Sequence, residues 1–290
     1  MQSTLRFLLS LILGFSFISS SSINALDILI DGKLDDNDWS NAKEITKYYE
    51  TMPFTLDEPS SNQKVLVMED EKGMYFGFVN YQKNESIRKQ KHQRDDEMAN
   101  ADMVGVTIDF DGDGLSAYGF TISAGGSIND NVFRNENEAN YDWDSDWKHG
   151  AHIEGDVWFA EMFIPWSIAP MKAQTGDKRQ VKLAIWRWLR GEFKVNTTIK
   201  GNPRTEKFMS LFNEYEFNNY SVSKLDFFPY INLTEDRVAA ETNKKTGAEI
   251  FWKIDSGKQL NVALNPDFGQ VESDELVVNF TSSETFYSDK

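Results

Sequence analysis

Two tryptophans set among acidic residues stand out in this sequence: Asp142-Trp143-Asp144-Ser145-Asp146-Trp147 places two indoles beside three carboxylates. A pyranose has an apolar C–H face that stacks on aromatic rings, and a hydroxyl rim that needs carboxylates, amides or guanidinium donors. Trp143 and Trp147 are therefore the leading ligand candidates, with simple packing of their loop as the alternative. Arg94, Asp96 and Asp102 concentrate opposite charges just before an apolar run. They could hydrogen-bond a sugar rim, or form a salt bridge that tethers their own loop.

Asp109-Phe110-Asp111-Gly112-Asp113-Gly114 has the alternating oxygens of half a calcium loop. An EF-hand starting at Asp109 requires Glu at its twelfth position, and Phe120 stands there. Asp111 and Asp113 remain as calcium candidates beside a plain Asp-Gly hairpin turn. His149 and His152 are three apart, which in a strand points them to opposite faces and disfavours a zinc pair. Glycoside hydrolysis needs paired carboxylates. Glu161 interrupts an aromatic strand, but alternation places it opposite Trp158, Ala160 and Met162, toward solvent. No nucleophile elbow, phosphate loop or dinucleotide fingerprint occurs, so no catalytic residue is assigned.

The elements that must position these groups read as strands. Val65 to Met68 and Met74 to Val79 flank the turn signal Asp70-Glu71-Lys72-Gly73. Val104, Val106, Ile108 and Phe110 alternate with small or polar residues before the glycine-rich turn leads into Tyr118, Phe120 and Ile122. Trp158 to Ile164 and Val181 to Ile185 add further strands. In the last of these Trp186 and Trp188 share one face and Arg187 takes the other, while Trp39 and Trp158 sit inside apolar patterns and read as core. Helical spacing is confined to 38–44 and 87–96. The predicted class is all-β, a jelly-roll-type sandwich over residues 26–216. A polar connector (217–245) and a strand-rich tail (246–290) follow, the tail containing too few strands to close a barrel, which takes ~8.

Residues 1–25 read as a secretory signal: Arg6 precedes a short apolar run, Phe7 to Ile18, and Ala25 ends a cleavage-like site. The chain has no cysteine, so disulfides are excluded and stability must come from packing or bound ions. Net charge is −16, with 46 acidic against 30 basic residues, which disfavours nucleic acid and anionic lipid as partners.

The run Ile30-Asp31-Gly32-Lys33-Leu34-Asp35-Asp36-Asn37-Asp38-Trp39 resembles the opening of family 9 carbohydrate-binding modules. Asp102 leading into VGVTIDF, the AYGF turn, the Trp143 to Trp147 segment and WFAEMFIPW continue the likeness in order. The tail NPDFGQVESDELVVNFTSSETF resembles the junction at which bacterial outer-membrane proteins join such a module to a long β-barrel domain of unknown function. The resemblance implies an exported Gram-negative envelope protein, placed in the periplasm, the outer membrane or at the cell surface, with a C-terminal barrel that continues past residue 290. It also implies a non-catalytic module that captures oligo- or polysaccharide and serves carbohydrate catabolism. A structural domain serving the barrel without binding sugar is the competing reading, and a hydrolase the third. In the family a pair of tryptophans clamps a terminal sugar; here neither 95–101 nor 196–212 contains one.

Overall fold

The computed structural model describes Leu26 and residues 28–265, apart from 97–98, 173, 175, 221–223, 237–240 and 256–257. The expected signal segment and the tail beyond residue 265 lie outside the described residues. The chain divides into two compact units, with the boundary between Ser223 and Lys224 and with 255–257 assigned to the first.

The first unit is a two-sheet sandwich. Its five-stranded sheet runs in the order β1 (Lys43–Ile45), β3 (Gln63–Glu69), β4 (Gly73–Tyr81), β10 (Val157–Pro165), β9 (Lys148–Glu154). The eight-stranded sheet runs β2 (Tyr49–Met52), β12 (Lys194–Thr197), β11 (Lys178–Leu189), β5 (Met103–Asp109), β6 (Ser116–Ser123), β7 (Ile128–Arg134), β8 (Glu138–Asn140), with β13 (Asn213–Asn218) also pairing β11. All strand pairings among the described residues of this unit are antiparallel, and alternate residues of each strand face the interior. Phe76, Phe78, Trp158 and Met162 from one sheet meet Val106, Phe120, Ile122 and Ile185 from the other in a single core.

Neither sheet leaves its outer face bare. Trp39, Leu34 and Ile30 from the N-terminal segment pack with Tyr75 and Phe163 over the outside of the five-stranded sheet. Phe208, Met209 and Phe212 pack with Ala117, Phe133 and Ala184 over part of the outside of the eight-stranded one. Every residue of β5 is buried although its sequence alternates, because Trp186 lies over Gly105 and Ala99 and Ala101 pack with Met103 on its outer face.

No α-helix occurs among the described residues. The helix expected over 38–44 is a 3-10 turn, Asn37–Asn41, followed by β1. The one expected over 87–96 does not form, because its N–H groups are taken from outside: Arg88 N bonds Asp102 Oδ2 at 2.9 Å and His92 N bonds Ser127 Oγ at 3.0 Å.

The second unit is a three-stranded sheet, β14 (Lys224–Asp236), β15 (Glu241–Asp255) and β16 (Lys258–Leu264). The stretch expected to be a connector thus contains β14, a long strand. β14 contains Pro229 and, among the described residues, pairs on one side only, with β15. Cross-strand pairs put Leu225 with Trp252 and Phe227 with Ile250 on one face, and Asp226 with Phe251 and Phe228 with Glu249 on the other.

Candidate functional site

The residues predicted from sequence divide into three groups. Trp143 and Trp147 face inward: Trp143 packs 5.0 Å from Tyr118 and 6.0 Å from Phe120, and Trp147 packs 5.5 Å from Phe120 with only 5% of its surface exposed. Trp147 therefore offers no open face to a sugar, and the half-buried Trp143 joins the same aromatic cluster. Their acidic neighbours suggested exposure, but the loop folds its indoles onto β6 and leaves Asp142, Asp144 and Asp146 outside.

Arg94 tethers that loop. Its guanidinium bonds Asp130 at 2.7 Å, Asp144 at 2.8 Å and the Ser145 carbonyl at 3.1 Å. Asp95, Asp130 and Asp144 bring carboxylate oxygens within 4.8 Å of one another, but Arg94 occupies the position of the cation. Asp102 is fully buried and accepts from Gln82 Nε2 (2.8 Å), Arg88 N (2.9 Å) and Arg190 N (2.7 Å), so it holds three segments together and does not face ligand. Asp96 caps a turn through its carbonyl, which accepts from Ala99 N.

The calcium candidates are corrected in the same way. Asp111 Oδ1 pairs with Arg179 at 3.2 Å and Asp113 Oδ2 with Lys172 at 2.5 Å, so an intrinsic cation already meets each carboxylate. Asp109, buried beneath them, accepts from the N–H groups of Asp111, Gly112 and Gly114. The segment is a hairpin turn between β5 and β6.

Glu161 has the predicted facing but not the predicted environment. It points away from the core, yet is fully buried beneath the N-terminal segment, where its carboxylate accepts from Asp31 N (2.9 Å), Gly32 N (2.7 Å) and Trp39 Nε1 (3.0 Å). Burial pushes its pKa from 4.5 up to about 7, against these three donors. Gly32, at φ 93°, is obligatory here, since a Cβ would lie 2.6 Å from the Ala151 backbone. The opening motif and the WFAEMFIPW motif are thus two halves of one contact.

The cavity that can take a ligand lies elsewhere, on the outer face of the eight-stranded sheet where the 199–212 segment leaves it uncovered. It encloses about 620 Å³ and crosses β7, β6, β5, β11 and β12, roughly 19 Å at ~4.8 Å per strand. Trp186 and Gly105 are direct cross-strand partners, and a Cβ on Gly105 would lie 2.4 Å from the Trp186 ring. The glycine lets the indole lie down onto the sheet, leaving its remaining surface to line the cavity. Asn131 and Gly119 repeat the device: they are cross-strand partners, and a Cβ on Gly119 would lie 2.2 Å from Asn131 Oδ1.

Some polar groups of this groove lack partners, whereas Thr51, Thr197, Asn202 and Thr205 are hydrogen-bonded within the chain. Asn129 and Asn131 are 6% and 8% exposed, and both side-chain carbonyl oxygens are without hydrogen bonds, as is the buried Trp188 Nε1. A buried unmade bond costs about 1–3 kcal/mol, and among the described residues six further such atoms lie elsewhere, Arg187 Nε and Trp147 Nε1 among them. Arg190 stacks on Trp188 with its guanidinium carbon 4.3 Å from the ring centroid. On the opposite face of β11 Arg187 is buried among neutral acceptors, bonding Gln82 Oε1 at 2.8 Å, and burial pulls its pKa down to about 10. Gln82 joins it to Asp102, so one network fixes the strand that carries both indoles.

The site selection from sequence missed Trp186, Trp188, Asn129 and Asn131. The usable signal was the outward register of β11, where two tryptophans alternate with core residues, together with Thr107, Thr121, Asn129 and Asn131 as polar outward positions on neighbouring strands.

Residues 221–290 match a family model described as a domain of unknown function, DUF5916. A comparison with curated proteins finds no match. Among solved structures, a family 9 carbohydrate-binding module from Caldicellulosiruptor kristjanssonii in complex with cellotriose aligns over 64% of this chain and 87% of its own, with 13% identity and a TM-score of 0.44. The module in complex with glucose aligns over 66% of this chain and 91% of its own, with 13% identity and a TM-score of 0.45.

Proposed function

We propose that the sandwich is a non-catalytic saccharide-binding module and that the groove across β7, β6, β5, β11 and β12 is its site. The observation that carries this reading is Trp186 lying over Gly105 in a cavity lined by Asn129, Asn131 and Trp188. Such a surface supplies an aromatic platform for a sugar's C–H face and acceptors for its hydroxyls. No residue lining the groove is acidic, so it lacks the carboxylate pair that hydrolysis needs. The sequence resemblance to carbohydrate-binding modules points to the same ligand class.

Calorimetric titration guided by a glycan array tests it. A binding saccharide should lose about 2 kcal/mol, roughly thirtyfold, on Trp186→Ala, as a central aromatic anchor does. Silence across the array, or unchanged affinity in the variant, overturns the reading.

A second reading concerns location. We infer that the chain is exported and that β14–β16 belong to the wall of an outer-membrane barrel. Leu225, Phe227, Ile231, Trp252, Leu260 and Leu264 are all large apolar residues exposed on this small sheet. β14 and β15 span 13 and 15 residues, above the ~9 to 11 that a membrane strand requires. The protein should remain with outer membranes after an alkaline carbonate wash; recovery in the soluble periplasmic fraction refutes this.

A further inference from the structure

We propose that the groove takes an acidic saccharide, with Arg204 at its rim binding the carboxylate of a uronate residue while Trp186 carries the ring. The inference rests on the reading of the groove as a saccharide site. Of the 21 residues that line it, Arg204 is the one that carries charge and none is acidic. At the chain's own frequency of 46 acidic residues in 290, about three would be expected there. The ligand wall has been kept clear of negative charge in a protein that is negative overall.

Arg204 is exposed and takes part in none of the ion pairs found among the described residues, whereas Lys64, Arg94, Lys172, Arg179 and Lys194 each meet a carboxylate. Its backbone is nevertheless fixed. Arg204 N donates to Asn202 Oδ1 at 2.9 Å, and Asn202 Nδ2 donates to the Thr51 carbonyl on the groove wall at 2.7 Å. The guanidinium is thus presented from an anchored turn with its donors uncommitted to protein carboxylates. A guanidinium binds a carboxylate through two parallel N–H bonds, a geometry that a neutral hydroxymethyl group cannot reproduce.

The local charge agrees. Residues 190–207 contain five basic and two acidic residues, in a chain of net charge −16. An anionic ligand repelled by the rest of the surface would find its attraction at this wall, and salt would weaken it. The far end of the groove makes the opposite demand. Asn129 and Asn131 of β7 line it there, and neither carries a charge that would hold a carboxylate. A uronate therefore has one orientation, with its hydroxyls toward β7 and its acid group toward Arg204.

The test titrates the full chain with oligogalacturonate, oligomannuronate and oligoglucuronate, each beside its carboxyl-reduced neutral counterpart. At least one uronate should bind about tenfold or more tighter than its reduced form. Arg204→Gln should remove that difference at an unchanged unfolding midpoint, Arg204→Lys should restore part of it, and Trp186→Ala should weaken both forms. Equal binding of acid and reduced forms, or an unaffected Arg204→Gln variant, overturns the inference and leaves the saccharide reading standing if Trp186→Ala still loses affinity. Absence of binding by every form overturns both.

Discussion

Glu161 offers the sharpest test of how this fold is held, because two effects of opposite sign act on one carboxyl. Burial beneath the N-terminal segment disfavours the charged form, while three N–H donors favour it, and the balance lies at a pKa of about 7 against an ordinary 4.5. A folded-state pKa above the unfolded value means that the native state holds the extra proton between those two pH values. The associated stability is fully present below pH 4.5 and is lost as pH rises through about 7. At 1.36 kcal/mol per unit the full linkage is about 3.4 kcal/mol. Relaxation of the covering segment around the ionised form reduces this to about 2–3 kcal/mol.

Many other carboxylates titrate in the same range, so the measurement must be a difference. Urea unfolding of the protein and of Glu161→Gln at pH 5 and pH 8 isolates the residue, since glutamine cannot titrate. The stability of the parent relative to the variant should fall by about 2–3 kcal/mol between those pH values. Glutamine also turns an NH₂ toward one set of donors, so the variant should be the less stable of the two at pH 5, by about 1–3 kcal/mol. A relative stability that is flat or rises with pH would refute the reasoning. It would mean that the Asp31, Gly32 and Trp39 donors outweigh burial and that Glu161 is an ordinary ionised acceptor.

Gly105→Ala should cost about 1–3 kcal/mol in unfolding free energy, because the new methyl meets Trp186 at 2.4 Å and the Phe120 carbonyl at 2.8 Å. Lifting the indole off the sheet should also weaken any saccharide binding, whereas a fully stable variant would show that Trp186 does not rest on this glycine. Asp102→Asn should destabilise by about 2–4 kcal/mol, since an amide cannot accept from Gln82, Arg88 and Arg190 together and the buried Arg187 loses the charge relayed through Gln82. A urea midpoint that does not move would remove Asp102 from the network that fixes β11.

Much of the fold was legible because alternation is a local property. Val104, Val106 and Ile108 announce an inward face by themselves, and the core place of Trp158 follows from the same rule, whereas Trp39 is buried from a 3-10 turn over the outside of the five-stranded sheet. What alternation cannot supply is the identity of the layer above the other face. Glu161 was assigned to the correct side of β10, but only the 130-residue return of Asp31 shows that this side is covered. The same limit hid the groove. Trp186 becomes a platform because Gly105 is its partner across two strands, and no window of sequence contains both. Asp142 to Trp147 misled for a related reason: its carboxylates do face solvent, but the indoles between them turn onto Tyr118 and Phe120. Over 224–236, Pro229 and the polar residues suggested a connector, whereas Leu225, Phe227 and Ile231 keep the period of a strand.

The buried acids also explain how a sandwich without cysteine closes its long loops. Asp70 accepts from Leu26 N and Tyr75 Oη, Asp102 joins residues 82, 88 and 190, Asp130 joins Arg94 to Ser145, and Glu161 joins Asp31 and Trp39 to β10. Each links segments far apart in sequence, as a disulfide would, through charge-assisted bonds that are individually stronger than neutral ones. Each of these carboxylates is thereby committed to donors of the chain itself.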